Sequence, residues 1–173
     1  RRQELLLGHF RLYHELKQGL KKAAAKKLPI KSLAIDTWGV DYALLDKDGN
    51  IIGNPINYRD DRTIGTIDEV GKIVPLKEIY ASTGIQFMNF NTLFQLYADT
   101  KMRPEIYEKA DRLLFMPELF GYLLTGKKYN EYTMASTGEL LNAKARDWIR
   151  SQLKSRTPSQ IFLVSWYSGN RDR

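Results

Sequence analysis

Apolar residues at helical spacing open the chain and predict an amphipathic helix. Leucines recur at positions 5, 12, 16 and 20, with Ala23 on the same face and lysines mostly between them. This spacing is typical of a helix that buries one face. Pro29 interrupts it, so we predict a helix that ends near Lys27. His9 and His14 lie about 140° apart on this helix, so we predict that both are structural.

From Ser32 onward the apolar positions come in short runs, which is the pattern of β-strands. Leu33–Ile35 is predicted to be a buried strand, and Leu113–Met116 another. Val40–Asp46 and Ile51–Asn57 flank an Asp-Gly pair, which predicts a hairpin.

The remainder of the chain is predicted to be mostly helical. Prolines suit the first position of a helix, and asparagines suit the position before it. The predicted helices are Thr66–Ile73, three that begin at Pro75, Pro104 and Pro117, Leu93–Tyr97 after an Asn91 cap, Thr133–Leu141, and one that carries Trp148 and Leu153 after an Asn142 cap.

A polar sequence, Asp36-Thr37-Trp38-Gly39, follows the first predicted strand. Open α/β sheets build sites where a buried strand delivers such side chains to one edge. The glycine lets a ligand approach the backbone, and the indole offers an apolar face with one N–H donor. A strand end that is polar only because it meets water is the alternative, and these four residues alone do not decide between the two.

Composition excludes several classes of protein. With 173 residues and 43% apolar content, the chain is a folded domain or a piece of a larger protein. It has no cysteine, which excludes disulfides and thiolate metal sites and favours a reducing compartment. Its longest apolar runs, such as Ile161–Val164, are too short to span a bilayer. We therefore expect a cytoplasmic protein without a membrane partner.

The net charge of +7 is unevenly distributed along the chain. Residues 1–31 hold nine basic and two acidic side chains, and residues 144–173 hold seven and two. Residues 32–143, which contain the candidate site, hold eleven basic and sixteen acidic side chains. A surface for nucleic acid would be expected to include the site, so we predict no nucleic-acid partner.

Four aspartates near the polar sequence, Asp36, Asp41, Asp60 and Asp61, are candidate magnesium ligands. Asp36 and Asp41 have opposite parity on an extended chain and leave opposite faces unless the turn at Gly39 reorients one. We predict no metal site. A ribonuclease-H-like nuclease that uses Asp36, Asp41 and Asp60 with two Mg²⁺ ions remains an alternative, as does a non-catalytic binding module that uses the basic flanks.

Amides alternate with large apolar residues over Gln86–Asn91. Amides supply donors and acceptors for a neutral polyol, and aromatic faces suit its C–H surface. Helix capping and ordinary core packing are the alternative. Arg59 and Arg62 flank two aspartates, which predicts either an ion-pair network at a helix start or an anchor for a loop beside a pocket.

The segment Gly121–Lys128 matches a phosphate-binding loop except at its last position. That position needs a hydroxyl for Mg²⁺, and the loop needs a preceding strand. Lys128 replaces the hydroxyl, and Pro117–Leu124 has a helical pattern, so we predict that Gly126 ends a helix instead.

Together these segments resemble one family closely, the rhamnulokinases of the FGGY carbohydrate kinases. In chain order the matching residues are Ile35-Asp36-Thr37-Trp38-Gly39-Val40-Asp41-Tyr42, Leu44-Leu45-Asp46 with Asp48-Gly49, Tyr58-Arg59-Asp60-Asp61-Arg62-Thr63, Ile79-Tyr80 with Thr83-Gly84-Ile85-Gln86-Phe87, Phe90-Asn91-Thr92-Leu93, Met116-Pro117 with Leu119-Phe120, Leu124-Thr125-Gly126, and Glu131-Tyr132-Thr133 with Ala135-Ser136-Thr137. The IDTWGVD and TGIQF segments separate rhamnulokinases from the xylulose, glycerol and fuculose kinases.

The resemblance implies an α/β fold, ribonuclease-H-like or actin-like, that is incomplete because the leading strands and the second domain are absent. It implies that residues 1–153 are part of a sugar-binding N-terminal domain and that residues 154–173 are an atypical basic tail. The family transfers the γ-phosphoryl group of Mg-ATP to the 1-hydroxyl of L-rhamnulose in L-rhamnose catabolism, with an aspartate as base.

The resemblance also implies site residues. Gly39 matches the family's substrate-binding glycine, Trp38 and Val40 line the same pocket, and the segment from Gln86 to Thr92 is expected to complete it. The predicted substrate-binding residues are Thr37, Trp38, Gly39, Val40, Gln86 and Asn91, with Asp36, Arg59, Asp60 and Arg62 in support.

Two features of the family have no match in the sequence. Its phosphate loop would precede Arg1, and its catalytic aspartate, in a His-Asp-Thr motif, would follow the matched segment. We therefore expect a truncated chain without a catalytic residue, a bound ATP or Mg²⁺, or kinase activity of its own. ATP and Mg²⁺ are expected to serve the full-length parent.

Overall fold

The structure is a computed structural model that describes residues 4–149. Its helices are α1 (His9–Ala25), α2 (Thr66–Ile73), α3 (Leu76–Thr83), α4 (Thr92–Met102), α5 (Pro104–Lys109), α6 (Met116–Thr125) and α7 (Tyr132–Ser136), with a 3-10 helix at Asp61–Thr63. Its strands are β1 (Tyr42–Leu45), β2 (Arg112–Phe115), β3 (Leu141–Asn142) and β4 (Asp147–Trp148).

Strands β1 and β2 form the centre of the fold as an antiparallel pair, in which Tyr42 lies opposite Phe115 and Leu45 opposite Arg112. All four residues of β1 are buried. Because alternate side chains leave opposite faces of a strand, a strand that is covered on both faces needs a continuous apolar run. The sequence Tyr-Ala-Leu-Leu of β1 meets that requirement.

Each face of the β1–β2 pair has its own apolar core. Helices α2 to α4 cover one face, where the buried residues include Tyr42, Leu44, Val70, Val74, Ile79, Leu93, Phe94, Leu96, Leu113 and Phe115. Helices α1 and α6 cover the other, where the buried residues are Ala43, Leu45, Leu114, Met116, Leu119 and Phe120, with Trp38 packed beside them. No helix among residues 4–149 is long and apolar enough to cross a membrane.

Local patterns predicted most elements correctly. Helix α2 begins and ends at the predicted residues, and α1, β1 and β2 lie where the apolar patterns put them. Pro104 and Pro117 lie in the first turns of α5 and α6 as predicted, whereas α3 begins one residue after Pro75. Gly126 ends α6 in a left-handed conformation, with φ 74°, as predicted.

The predicted buried strand at Leu33–Ile35 is wrong. No strand forms over residues 31–39, and Leu33 is 55% exposed. A strand requires a neighbour for its backbone hydrogen bonds, and no segment among residues 4–149 pairs with this one. The second hairpin strand is also shorter than predicted, because only Ile51 bridges to β1 before Gly53, with φ 70°, turns the chain away.

Two predictions near the end of the described chain are also wrong. Asn142 begins no helix: its Oδ1 accepts hydrogen bonds from the N–H groups of Lys144 and Ala145, which closes the turn between β3 and β4. The helix predicted over residues 133–141 ends at Ser136, because Glu139 adopts a left-handed φ of 60° that a helix cannot contain. Residue 153, also placed in a helix, lies outside the described residues.

Candidate functional site

The candidate site centres on a strained residue, Val40. Its φ is 68°, an unusual value for a β-branched side chain, and the residue is 8% exposed. Two buried side chains of α4 hold it: Thr92 Oγ1 donates to the Val40 carbonyl over 2.9 Å, and Gln95 Nε2 over 3.2 Å. Strain of this kind persists only where surrounding contacts fix it, and it concentrates at functional sites.

Gln95 connects this carbonyl to a buried ion pair. Arg62 Nη2 donates to Gln95 Oε1 over 2.6 Å, so the amide nitrogen of Gln95 faces Val40. Arg62 Nε is paired with Asp99 Oδ1 over 2.8 Å, and both side chains are 1% exposed. Asp60 accepts from the Arg62 N–H over 2.8 Å and thereby caps the 3-10 helix.

Gly39, immediately before Val40, lies against the loop that follows α7. A Cβ added at Gly39 would lie 3.3 Å from Thr137 Oγ1, which is closer than ordinary van der Waals contact. Any larger residue at position 39 would press on this loop. The glycine therefore allows this loop to approach the backbone of residue 39 closely.

Trp38 and Asp41 form a pair on either side of these two residues. The indole Nε1 donates to Asp41 Oδ2 over 2.7 Å, and Asp41 is fully buried. Burial raises the pKa of Asp41 to about 6, although the hydrogen bond from Trp38 and the charge of Arg62 act in the opposite direction. Asp41 Oδ1 has no partner among residues 4–149.

Asn91 lies at the N-cap of α4 as predicted, but its side chain caps nothing. Its Nδ2 donates to the Gln86 carbonyl over 2.8 Å and to Glu139 Oε1 over 2.6 Å. Glu139 is 1% exposed, and burial raises its pKa to about 7 despite the hydrogen bond from Asn91. The sequence singled out the asparagine but not its buried acidic partner.

The structure brings together only part of the predicted site. Val40 and Asn91 lie at the start of α4, with Gly39 next to Val40. Trp38 packs against the core that α1 and α6 cover and reaches this region through its bond to Asp41. Gln86 is exposed and contributes only its backbone carbonyl to the Asn91 amide. Of the remaining predicted residues, Arg62 binds Gln95 and Asp99 of α4, Asp60 caps the 3-10 helix, and the other three act locally. Asp36 and Arg59 are exposed, Arg59 stacks on Tyr58, and the Thr37 hydroxyl donates to the Trp38 carbonyl over 3.0 Å.

Three buried polar residues of this region were missed: Gln95, Asp99 and Glu139. Thr92, Gln95 and Asp99 recur at intervals of three and four along α4, which places them on one face of the helix. A polar stripe on a largely apolar helix is a signal that the sequence offered. Glu139 offered none, because its burial depends on the turn after α7.

The site suits the binding of a neutral ligand better than metal chemistry. Within residues 4–149, no group of three or more His, Cys, Asp or Glu side chains could hold a metal ion. Asp41 accepts from Trp38, Asp60 caps the 3-10 helix and Asp36 is exposed, so the three carboxylates of the nuclease alternative do not form a group. Amide and hydroxyl groups beside an indole are the groups that bind polyols.

Sequence comparisons relate the chain to sugar kinases. The N-terminal domain of the FGGY family of carbohydrate kinases matches residues 10–171. The rhamnulokinase of Halalkalibacterium halodurans is 45% identical over 137 residues, and that of Bacteroides thetaiotaomicron is 46% identical over 141 residues. Each alignment covers 79% of this chain and 29% of the relative, so the chain spans less than a third of the length of these proteins.

Solved structures with the same fold are also sugar kinases. Ligand-bound xylulose kinase from Lactobacillus acidophilus superposes with a TM-score of 0.74 at 19% identity, over 88% of this chain and 33% of that one. Plasmodium falciparum glycerol kinase with ADP superposes with a TM-score of 0.70 at 21% identity, over 84% and 30%. These likenesses confirm the predicted α/β, actin-like fold.

Proposed function

The chain belongs to the FGGY family of carbohydrate kinases, and from this premise we propose that it supplies the sugar pocket of an L-rhamnulose kinase. The proposed reaction transfers the γ-phosphoryl group of ATP to the 1-hydroxyl of L-rhamnulose. Sequence relatives at 45% and 46% identity that bear the name rhamnulokinase support this choice of sugar. The xylulose and glycerol kinases share the fold at no more than 21% identity.

The strained turn at Val40 is the observation that best supports the proposal. Thr92 and Gln95 hold its carbonyl in a strained turn, and this turn presents the backbone of Gly39 next to the Trp38 indole. An indole face and an open backbone suit the C–H surface and the hydroxyls of a ketose. Asn91 adds an amide at the start of the same helix.

We assign the phosphoryl-transfer machinery to the parent protein rather than to this chain. The described residues contain no carboxylate group suited to Mg²⁺, and the segment before Lys127 is a helix that ends at Gly126 rather than a phosphate loop. No residue of this sequence matches the family's catalytic aspartate. The isolated chain therefore binds sugar without phosphorylating it, and ATP and Mg²⁺ act in the full-length kinase.

The same proposal implies the compartment, the partners and the domain bounds of the chain. A kinase that consumes ATP and a free ketose works in the cytoplasm, with a small molecule as its partner and no nucleic acid. Residues 1–153 are proposed to be part of the sugar-binding domain, with residues 154–173 as a separate basic tail. The family match extends to residue 171, whereas the described structure ends at residue 149.

Calorimetric titration of L-rhamnulose against the full-length parent and against this chain tests the proposal. Gly39→Ala is expected to weaken sugar binding about tenfold in the parent and in this chain. The added methyl group meets Thr137, and the resulting shift of the backbone should lose about one good contact with the sugar. Gly19→Ala is the matched control, since a Cβ at Gly19 in α1 meets no atom within 4 Å.

Three results would contradict the proposal. They are a parent that phosphorylates another ketose in preference to L-rhamnulose, equal affinities of the Gly39 and Gly19 variants, and ATP-dependent phosphorylation of L-rhamnulose by this chain alone.

A further inference from the structure

Both amide hydrogens of Asn91 are committed to protein acceptors. One lies toward the Gln86 carbonyl, 2.8 Å from Nδ2, and the other toward Glu139 Oε1, 2.6 Å away. A side-chain amide has two donor hydrogens and one acceptor oxygen. Two acceptors on the nitrogen side therefore fix the orientation of the amide, because a flipped amide would bring Oδ1 against two other oxygens.

The acceptor oxygen of the same amide, Oδ1, has no hydrogen-bond partner among the described residues. Asn91 Oδ1 accepts no hydrogen bond from any residue between 4 and 149. It is also not one of the fully buried polar atoms that lack a partner, whereas Glu139 Oε2 is. Oδ1 is thus the one polar atom of this side chain without a hydrogen-bond partner among the described residues, in a residue that is 3% exposed.

Glu139 occupies its position at a cost in free energy. Its backbone has a φ of 60°, which is unfavourable for a residue other than glycine. Its side chain is 1% exposed and one of its oxygens is unpaired, so burial of this polar group is only partly compensated. An apolar residue would be more stable in this buried position. The hydrogen bond to Asn91 is therefore the feature that explains a glutamate here.

We propose that Glu139 is a positioning residue of the sugar pocket, which holds the Asn91 amide so that Oδ1 faces the ligand and accepts a hydrogen bond from a sugar hydroxyl. The inference rests on the proposed function for the identity of the ligand. It adds the chemistry of the contact: the sugar must donate at this point, so a hydroxyl is recognised and an ether or methoxy group is rejected. Neither the family match nor the motif residues include Glu139 in this role.

Two substitutions at Glu139 separate positioning from packing. Glu139→Gln keeps an acceptor oxygen for the Asn91 amide, whereas Glu139→Leu keeps the approximate size and removes the acceptor. Glu118→Leu is the matched control, since Glu118 is also buried, at 4% exposed, also has an unpaired Oε2, and lies in α6 outside the site. A fourth variant, Asn91→Ala, removes the proposed contact itself.

The first measurement is the pair of Asn91 side-chain amide signals in ¹⁵N-labelled chain, assigned by their loss in Asn91→Ala. We expect both signals to shift and to exchange faster with solvent in Glu139→Leu, and to keep their protection in Glu139→Gln and Glu118→Leu. The second measurement is the affinity for L-rhamnulose. Glu139→Leu and Asn91→Ala should each weaken binding about tenfold, the usual effect of losing one hydrogen bond, and Glu139→Gln should restore it.

The outcomes distinguish the two proposals. Unchanged Asn91 signals in Glu139→Leu, or equal losses of affinity in Glu139→Leu and Glu118→Leu, refute the role of Glu139 and leave the proposed function standing. If the wild-type chain and the parent both fail to bind L-rhamnulose, the proposed function is refuted, and the sugar contact of Asn91 with it.

Discussion

The indole N–H of Trp38 donates to Asp41 Oδ2 over 2.7 Å and so spans the strained Val40 between them. The bond joins a half-buried aromatic ring to a fully buried carboxyl group. It fixes the direction of the indole beside Gly39, where the proposed sugar lies. The same carboxyl group makes the stability of this turn depend on pH.

Asp41→Asn should remove a pH dependence of stability. Burial raises the pKa of Asp41 from 3.8 to about 6, so between these values the folded protein holds a proton that the unfolded chain has released. Its free energy of unfolding therefore falls as the pH rises through this window, by about 3 kcal/mol. Urea titrations from pH 3.5 to 7 should show the fall in the wild type and a flatter curve in the variant. An equally steep curve in Asp41→Asn would contradict the assignment.

Glu139→Gln should remove a second decrease in the free energy of unfolding, which occurs at higher pH. Burial raises the pKa of Glu139 from 4.5 to about 7, so its contribution is complete below pH 4.5 and is lost as the pH approaches 7. Between pH 6 and 7, the free energy of unfolding should still fall in Asp41→Asn but should stay level in Glu139→Gln. The same denaturant titrations, extended to pH 8, measure both. Coincident curves for the two variants would show that neither carboxyl group titrates independently.

The buried ion pair between Arg62 and Asp99 should contribute far more to stability than a surface pair. Asp99→Asn leaves the Arg62 guanidinium buried without its counter-ion, which costs about 3 kcal/mol or more. Glu69→Gln provides the control, because its pair with Lys101 has exposed side chains and is expected to be worth at most about 1 kcal/mol. Chemical denaturation compares the two, and similar losses would contradict the importance of the buried pair.

Thr92 should matter through its hydroxyl. Thr92→Val removes the hydrogen bond to the Val40 carbonyl at nearly constant volume and should cost about 1 kcal/mol of stability. Thr92→Ser keeps the hydroxyl and should retain the bond. Because the bond holds the strained turn, L-rhamnulose affinity should fall in the valine variant alone, as measured by calorimetry. A serine variant that loses as much affinity as the valine variant would point to packing of the methyl group instead.

Local sequence patterns predicted the elements that depend on local interactions. Helix α2 and strand β1 lie where predicted, because helical spacing and a short apolar run determine them with little help from the rest of the chain. Leu33–Ile35 has an equally apolar run but forms no strand, since pairing depends on a neighbour that sequence periodicity does not reveal.

The candidate site was predictable only in part. The polar sequence at Trp38 and Gly39 was visible because it follows an apolar run directly and matches a motif of the family that the chain resembles. The left-handed Val40 was not visible, since its conformation depends on Thr92 and Gln95 more than fifty residues away. Glu139 was hidden for the same reason: the structure of a distant helix start determines what it contacts.

The most direct test of the sugar pocket is a titration of ¹⁵N-labelled chain with L-rhamnulose, followed through its amide and indole N–H signals. We expect the shifts to concentrate at the Trp38 indole, the backbone of Gly39 and Val40, and the start of α4, and we expect Gly39→Ala to suppress them. Shifts that map to the basic face of α1 would contradict the proposed sugar pocket. The absence of any shift, when the parent binds the same sugar, would also contradict it.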